Sequence, residues 1–233
     1  MRGAAELAGK HSAYLQTHLA ENLEEIEKVR AQFSWARDYT DVYEKCGLLG
    51  PRTVLGHCVH LSEREREALA ATRSNVAHCP TSNLFLGSGI MPLDQIMDDG
   101  IHTGLGSDVA AGPELNLWQV MRSTIESQKA RSFYEKTVRV PSPADALFLA
   151  TQGGADALGK GDRIGALEIG READLTVMDF GALLPGPKTA RAHADLSAED
   201  ILSLCIYRGG PQATVETFVR GRSVYRALTP ALF

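Results

Sequence analysis

Several features that would point to a particular class of partner are scarce or missing. The 233 residues carry a formal net charge of −5 and contain no dense run of Lys or Arg, which argues against nucleic acid or an anionic membrane as a partner. No uninterrupted apolar run approaches the ~18 residues of a membrane-spanning helix, and the start of the chain lacks a signal-peptide pattern. We therefore expect a small-molecule ligand, with no nucleic-acid and no membrane partner.

Cysteine is also sparse. The four cysteines form no C-x-x-C pair and have no disulfide-rich spacing, so we expect reduced, mostly buried thiols in a reducing cytoplasm. They are Cys46, Cys58, Cys79 and Cys205.

Several catalytic templates are absent as well. The sequence contains no H-E-x-x-H, no G-x-x-x-x-G-K-[ST], and no H-x-E with P-C-x-x-C, which excludes the metalloprotease helix, the P-loop and one class of nucleobase deaminase. The pattern at Gly104-Leu105-Gly106 is too short to bind a dinucleotide by itself. The remaining composition, 44% hydrophobic and 23% charged, predicts one large domain or one domain with a small appendage.

Strands alternate with helices over the first two thirds of the chain. We predict strands at 13–18, 53–58, 75–79 and 101–106, and helices at 1–10, 23–32, 40–46, 63–72, 92–98 and 114–129. A further helix is predicted to begin at Ser142, and a second short helix is predicted to end near Gly159. This alternation indicates parallel strands joined by crossovers, as in a doubly wound sheet or an eight-fold βα barrel.

The pattern changes from Gly161 onward. Short strands are predicted at 164–169 and 174–178, a hairpin at 214–226 and a helix at 198–207, with a surface loop at 180–192. We therefore expect a small β-rich appendage at 161–233.

Polar side chains that can bind a metal lie at the ends of the four predicted strands. They are His18, His57, His78 with Cys79, and Asp108, and Glu21 follows His18 closely. A single strand histidine is more often a core residue, and a single Asp after Gly-Ser is more often a turn residue. Because parallel strands bring their carboxyl ends to one edge, the set predicts a site that holds a metal and moves a proton.

The motifs at these ends resemble the amidohydrolase superfamily, closest to the guanine deaminases. They are THLAEN at 17–22, LGHCVHL at 55–61, AHCPTSN at 77–83 and GLGSD at 104–108, with FLGSG at 85–89 and DVAAG at 108–112 similar to the guanine branch. GREAD at 170–174 and VRGR at 219–222 are similar to the segments in which chains of this superfamily return to a small β-sandwich. The resemblance implies an α/β fold in which 1–160 is the carboxyl-terminal half, about four strands, of a (β/α)8 TIM-like barrel, and 161–233 is part of the sandwich.

The resemblance also implies roles for individual residues. His18 and Asp108 would bind Zn2+, and His57 would orient and help activate a water molecule. Glu21 would protonate the purine ring, and Asp108 would pass a proton to the departing ammonia, so that guanine becomes xanthine. His18, Glu21 and Asp108 would also contact the substrate. Two interpretations of His78 and Asn83 stay open: the two residues support the site, or they only form part of the loop.

Two elements of the family pattern have no counterpart in this sequence. These are an H-x-H pair of zinc ligands and an arginine that binds the purine carbonyl. We therefore expect an incomplete zinc site and a chain that is inactive alone, with the missing amino-terminal half or a second copy of the chain as partner. The alternatives are a catalytically silent structural or binding subunit, and a deaminase of another aminated heterocycle.

Overall fold

The computed structural model describes residues 1–184 and 195–227. Its first part is built on a parallel sheet of four strands in the order β1-β2-β3-β4. The strands are β1 Leu15–Leu19, β2 Thr53–His57, β3 Asn75–His78 and β4 Thr103–Leu105. The register pairs Leu19 with His57 and His78 with Leu105, so the carboxyl ends of all four strands meet at one edge. The four predicted parallel strands are confirmed.

Helices connect the strands and flank the sheet. They are α1 Arg2–His11, α2 Leu23–Gln32, α3 Tyr39–Lys45, α4 Glu63–Thr72, α5 Pro80–Phe85, α6 Leu93–Asp98, α7 Leu117–Ser132, α8 Pro143–Ala150, α9 Gln152–Ala157 and α10 Ala198–Arg208. Side chains at Asn22, Ser62 and Ser142 accept hydrogen bonds from the first turns of α2, α4 and α8, as N-caps do. Of the helices described in this structure, none is long and apolar enough to cross a membrane.

The core lies between the sheet and its helices. Leu19, Leu55 and Val76 are fully buried and form one cluster with Leu69 of α4 and Ile96 of α6. Burial of each such side chain contributes about 1.5–3 kcal/mol through removal of apolar surface from water. A second cluster joins α7, α8 and α10 through Met121, Ile125, Ala146 and Ile206.

The second sheet is small and antiparallel. It consists of β5 Leu175–Met178, β6 Thr214–Val219 and β7 Arg222–Arg226 in the order β5-β6-β7. The predicted hairpin is therefore confirmed, and Arg220 and Gly221 form its turn with φ of 52° and 73°. The closed eight-strand barrel, the complete sandwich and a domain boundary near residue 160 remain predictions.

Three local predictions differ from the structure or extend beyond the described residues. The predicted strand at 164–169 is wrong, because Gly165 has φ 96° and the guanidinium of Arg171 binds the Gly161 and Ile164 carbonyls in place of a strand partner. The loop predicted after Cys79 contains the helix α5, which has a proline in its first turn. The predicted loop at 180–192 begins with a short 3-10 helix, Phe180–Leu183, and its part from 185 lies outside the described residues.

Candidate metal centre and active site

The strand ends bring together His18, His57 and Asp108. One ligand atom from each of these residues lies within 4.8 Å of the others. The rings of His18 and His57 stack with centroids 5.3 Å apart. His18, His57 and Asp108 all belong to the set of strand-end residues predicted from the sequence, and the resemblance implied His18 and Asp108 as the metal ligands.

Glu21 faces the same cluster from the turn after β1. Its Oε2 lies 3.8 Å from His57 Nε2, and Asp108 Oδ2 lies 3.9 Å from the same nitrogen. Both distances exceed a hydrogen bond, so the two carboxylates and the imidazole surround a common space without filling it. Imidazole nitrogen and carboxylate oxygen are the donors that Zn2+ uses in proteins, and a divalent cation would balance the two carboxylates. The donor set therefore fits zinc.

The backbone beside the site adopts a conformation that is unusual for residues other than glycine. The φ angles of Ala20, His57, Cys58 and Asp108 are 48°, 70°, 51° and 49°. Each such residue costs roughly 1–3 kcal/mol and persists only where its surroundings impose it. The Ala20 carbonyl accepts hydrogen bonds from the backbone N–H groups of Val59 and His60, which joins the ends of β1 and β2.

One short segment supplies a hydrogen-bond partner to each of three site residues. Ser82 Oγ donates to Asp108 Oδ2 at 2.7 Å, and Ser88 Oγ donates to Glu21 Oε1 at 2.9 Å. Asn83 Oδ1 lies 2.8 Å from His57 Nδ1. Sequence reasoning left Asn83 open between site support and loop structure, and it missed Ser82 and Ser88. Both serines lie within motifs that the sequence does show, AHCPTSN at 77–83 and FLGSG at 85–89, but no role was assigned to them.

Residues of α2 and α3 hold the end of β1 from the other side. Tyr43 Oη donates to the His18 carbonyl at 2.9 Å, and the Glu21 N–H donates to Glu25 Oε2 at 2.9 Å. Tyr39 Oη donates to the other oxygen of Glu25. Burial, with hydrogen bonds to Tyr43 and Glu25, raises the pKa of Tyr39, so its hydroxyl keeps the proton that it donates.

His78 lies next to the site but differs from His18 and His57. It is 1% exposed, and neither ring nitrogen has a hydrogen-bond partner. Burial lowers the pKa of His78 to about 3, and the nearby His57 adds to the effect. His78 is therefore neutral at ordinary pH and does not act as an acid.

The cysteines near the site lie outside the cluster of possible metal ligands, which is formed by His18, His57 and Asp108. All four cysteines of the chain are free and buried, as predicted. Burial raises the pKa of Cys79 to about 12, with Asp108 adding to the rise, and burial also raises the pKa of Cys58.

Comparisons with known proteins identify relatives of this chain. The model of the Amidohydrolase family matches residues 1–224. A probable guanine deaminase of Deinococcus radiodurans is 42% identical over 190 residues, which cover 81% of this chain and 42% of the relative. The guanine deaminase of Escherichia coli is 36% identical over 212 residues, which cover 91% of this chain and 46% of the relative. This chain thus spans about half the length of these relatives.

Solved structures are similar as well. A guanine deaminase of C. acetobutylicum with guanine in its active site has a TM-score of 0.87 and 31% identity, over 96% of this chain and 51% of that one. An adenosine deaminase of Xanthomonas campestris with bound zinc has a TM-score of 0.80 and 27% identity, over 95% of this chain and 47% of that one.

Proposed function

This chain belongs to the amidohydrolase family, and from that membership we propose that it carries one part of a zinc-dependent guanine deaminase site. The proposal is supported by relatives that are named as guanine deaminases and by a similar structure that contains guanine. The observation that carries it is the convergence of His18, His57 and Asp108, with Glu21 beside them.

His18 and Asp108 would hold the metal, with His57 facing the same space. Zinc at this position would lower the pKa of water toward ~7 and so supply a nucleophile at neutral pH. The other steps belong to the protein's own side chains. Glu21 would take one proton of the water and pass it to the ring nitrogen, and Asp108 would take the other and pass it to the leaving amine. Oxygen from water joins the ring carbon, the exocyclic C–N bond breaks, and guanine and water become xanthine and ammonia.

We propose that full activity needs groups from polypeptide outside this sequence. The H-x-H pair and the arginine expected from the resemblance have no counterpart in the 233 residues. With His57 assigned to the water molecule, His18 and Asp108 are two ligands, fewer than the three protein ligands usual in a catalytic zinc site. An amino-terminal half of the same family would supply the missing groups. A paired copy of this chain has the same 233 residues and would not supply them. The four buried free thiols are compatible with a reducing compartment such as the cytoplasm.

A chimera with the Escherichia coli relative tests this proposal directly. This chain replaces the 46% of the relative that it matches, and ammonia release from guanine is measured with and without a zinc chelator. We expect chelator-sensitive deamination. The variant Glu21→Gln should lower turnover by about 10²–10⁴-fold, the usual contribution of a general acid or base, while bound zinc stays unchanged.

Other outcomes separate the alternatives. Deamination of adenosine-type or pterin-like substrates without deamination of guanine would contradict the substrate and support a deaminase of another heterocycle. A folded, zinc-containing chimera that releases no ammonia from any substrate would contradict the enzymatic role. That result would support a silent structural or binding subunit.

A further inference from the structure

Two consecutive residues of α5 hold site residues from two different strands. Ser82 and Asn83 are 0% and 1% exposed. Ser82 Oγ donates to Asp108 Oδ2 at 2.7 Å, and Asn83 Oδ1 lies 2.8 Å from His57 Nδ1. Both helix residues follow His78, the last residue of the strand between those that lead to His57 and Asp108.

The backbone of Asn83 is fixed on both sides. Its N–H donates to the Cys79 carbonyl at 2.9 Å, and its own carbonyl accepts from the Ser88 N–H at 2.8 Å. These bonds fix the point from which the side chain extends to His57, and the Asn83 Nδ2 is buried without a hydrogen-bond partner. Buried polar groups are nearly always paired, and exceptions concentrate where a site needs a particular geometry. This arrangement points to an orienting role for Asn83.

A neutral imidazole carries its proton on one of its two nitrogens, and the partner of the other decides which one. Asn83 Oδ1 can only accept, so it favours the proton on Nδ1 of His57. The lone pair is then left on Nε2, the nitrogen that faces Glu21 and Asp108. With the opposite tautomer, an N–H would point into the space shared by the carboxylates and His18.

We propose that Ser82 and Asn83 are positioning residues of the site: Asn83 fixes the tautomer and ring plane of His57, and Ser82 fixes the carboxylate of Asp108. This proposal rests on the proposed function, but its tests measure the His57 tautomer and the zinc affinity and do not need guanine. Residues that orient metal ligands typically change metal affinity or activity by about 10–100-fold when they are lost.

The tautomer is measured by 15N NMR of the histidine rings at pH 8, where an ordinary imidazole is neutral. His57→Gln identifies the signal of His57. In the unaltered chain we expect the proton on Nδ1, and Asn83→Asp, which keeps an acceptor oxygen, should preserve this state. Asn83→Ala should shift the ring toward a mixture of tautomers. A proton on Nε2 in the unaltered chain overturns the role of Asn83 without the need for any variant to fold.

Zinc affinity, measured by competition with a chromogenic chelator, tests Ser82. Ser82→Ala should weaken zinc binding by about tenfold or more. Ser62→Ala is the control, because it removes the N-cap of α4 and lowers stability without a contact to the site. The affinities are measured in the chimera, where the other half supplies the missing groups. Equal losses of affinity in the two variants, or no loss in Ser82→Ala, overturn the role of Ser82.

The two proposals can fail separately. A chimera that deaminates guanine while Ser82→Ala and Asn83→Ala change neither zinc affinity nor the His57 tautomer contradicts only the positioning role. If the variants alter zinc affinity and the tautomer but the chimera does not deaminate guanine, only the proposed function is contradicted.

Discussion

The two sheets of this chain are stabilised by different means. The parallel sheet buries Leu19, Leu55 and Val76 completely, and polar residues at its carboxyl ends are held by partners far away in the sequence. The antiparallel sheet leaves every residue of β7 exposed, and its strands are cross-linked by exposed charged pairs such as Arg226 with Glu216. The candidate site therefore lies at the edge of the sheet that has the buried core.

Residues other than glycine with positive φ occur beside both sheets. Four of them lie at the carboxyl ends of the parallel strands, where side chains converge on the site. In the small sheet, the tight turn between β6 and β7 contains Arg220 with φ 52°, next to Gly221, which tolerates this conformation without a steric penalty. The strained residues of the parallel sheet differ in their place, since they lie beside the candidate site.

Core truncation should produce the largest difference between the two sheets. Leu55→Ala removes a fully buried side chain and should lower the free energy of unfolding by about 2–5 kcal/mol. Val224→Ala, at a residue that is 58% exposed, should change it by less than about 0.5 kcal/mol. Urea denaturation measures both, and similar losses would contradict the comparison.

Acid should act on the buried charged network beside the parallel sheet. Asp41 is fully buried, and although burial alone raises its pKa, hydrogen bonds from Arg37 and Lys45 hold the pKa well below its usual range. Its stabilising contribution is present above the ordinary pKa of about 3.9 and is lost as the pH falls further. Asp41→Asn should cost about 2 kcal/mol at pH 7.

The pH dependence provides the control for this prediction. Between pH 5 and pH 2, the stability of Asp41→Asn in denaturant titrations should fall less steeply than that of the unaltered chain. Parallel curves would show that Asp41 is not a source of the acid sensitivity.

A smaller effect is expected from Ser88, which connects the site to the loop after α5. Ser88 Oγ donates to Glu21 Oε1, and the Ser88 carbonyl accepts from His60 Nε2 at 2.8 Å. Ser88→Ala should lower kcat of the guanine-deaminating chimera by about tenfold, with KM and zinc affinity unchanged, since a hydrogen bond to a charged group contributes about 1.5–3 kcal/mol. Ser88→Thr should retain activity, and a loss of zinc in Ser88→Ala would contradict a role specific to Glu21.

The smallest effect is expected in the antiparallel sheet. A hydrogen bond from Ser223, with Arg226 nearby, lowers the pKa of Glu216. The Arg226 side chain is 73% exposed, so solvent and salt screen the pair. Glu216→Gln should leave the urea midpoint unchanged within error. A clear loss would mean that surface charges contribute more to this sheet than the comparison allows.

Local sequence signals predicted much of the fold. Strand and helix alternation located the four parallel strands, and the caps at Asn22, Ser62 and Ser142 were visible because they depend on neighbouring residues alone. The strand predicted at 164–169 was wrong because Arg171 and the conformation of Gly165 override an apolar pattern. The spacing of apolar residues along the chain carries no information about such a contact.

The site was predictable only in part, for a similar reason. His18, Glu21, His57 and Asp108 could be chosen because strand ends in a parallel sheet share one edge. The contacts of Ser82 and Ser88 depend on the path of α5 across that edge, which no residue pattern specifies. The role of each site residue remains a prediction, and the structure provides the distances on which that prediction can be tested.

The left-handed backbone at the strand ends also limits how this protein can evolve. Glycine would relieve the backbone strain at His57 and Asp108, but it would remove the side chains on which the proposed chemistry depends. Strain relief and the site therefore exclude each other at these two positions. Substitutions that raise stability without loss of the site must lie elsewhere, and the exposed antiparallel sheet offers positions for them.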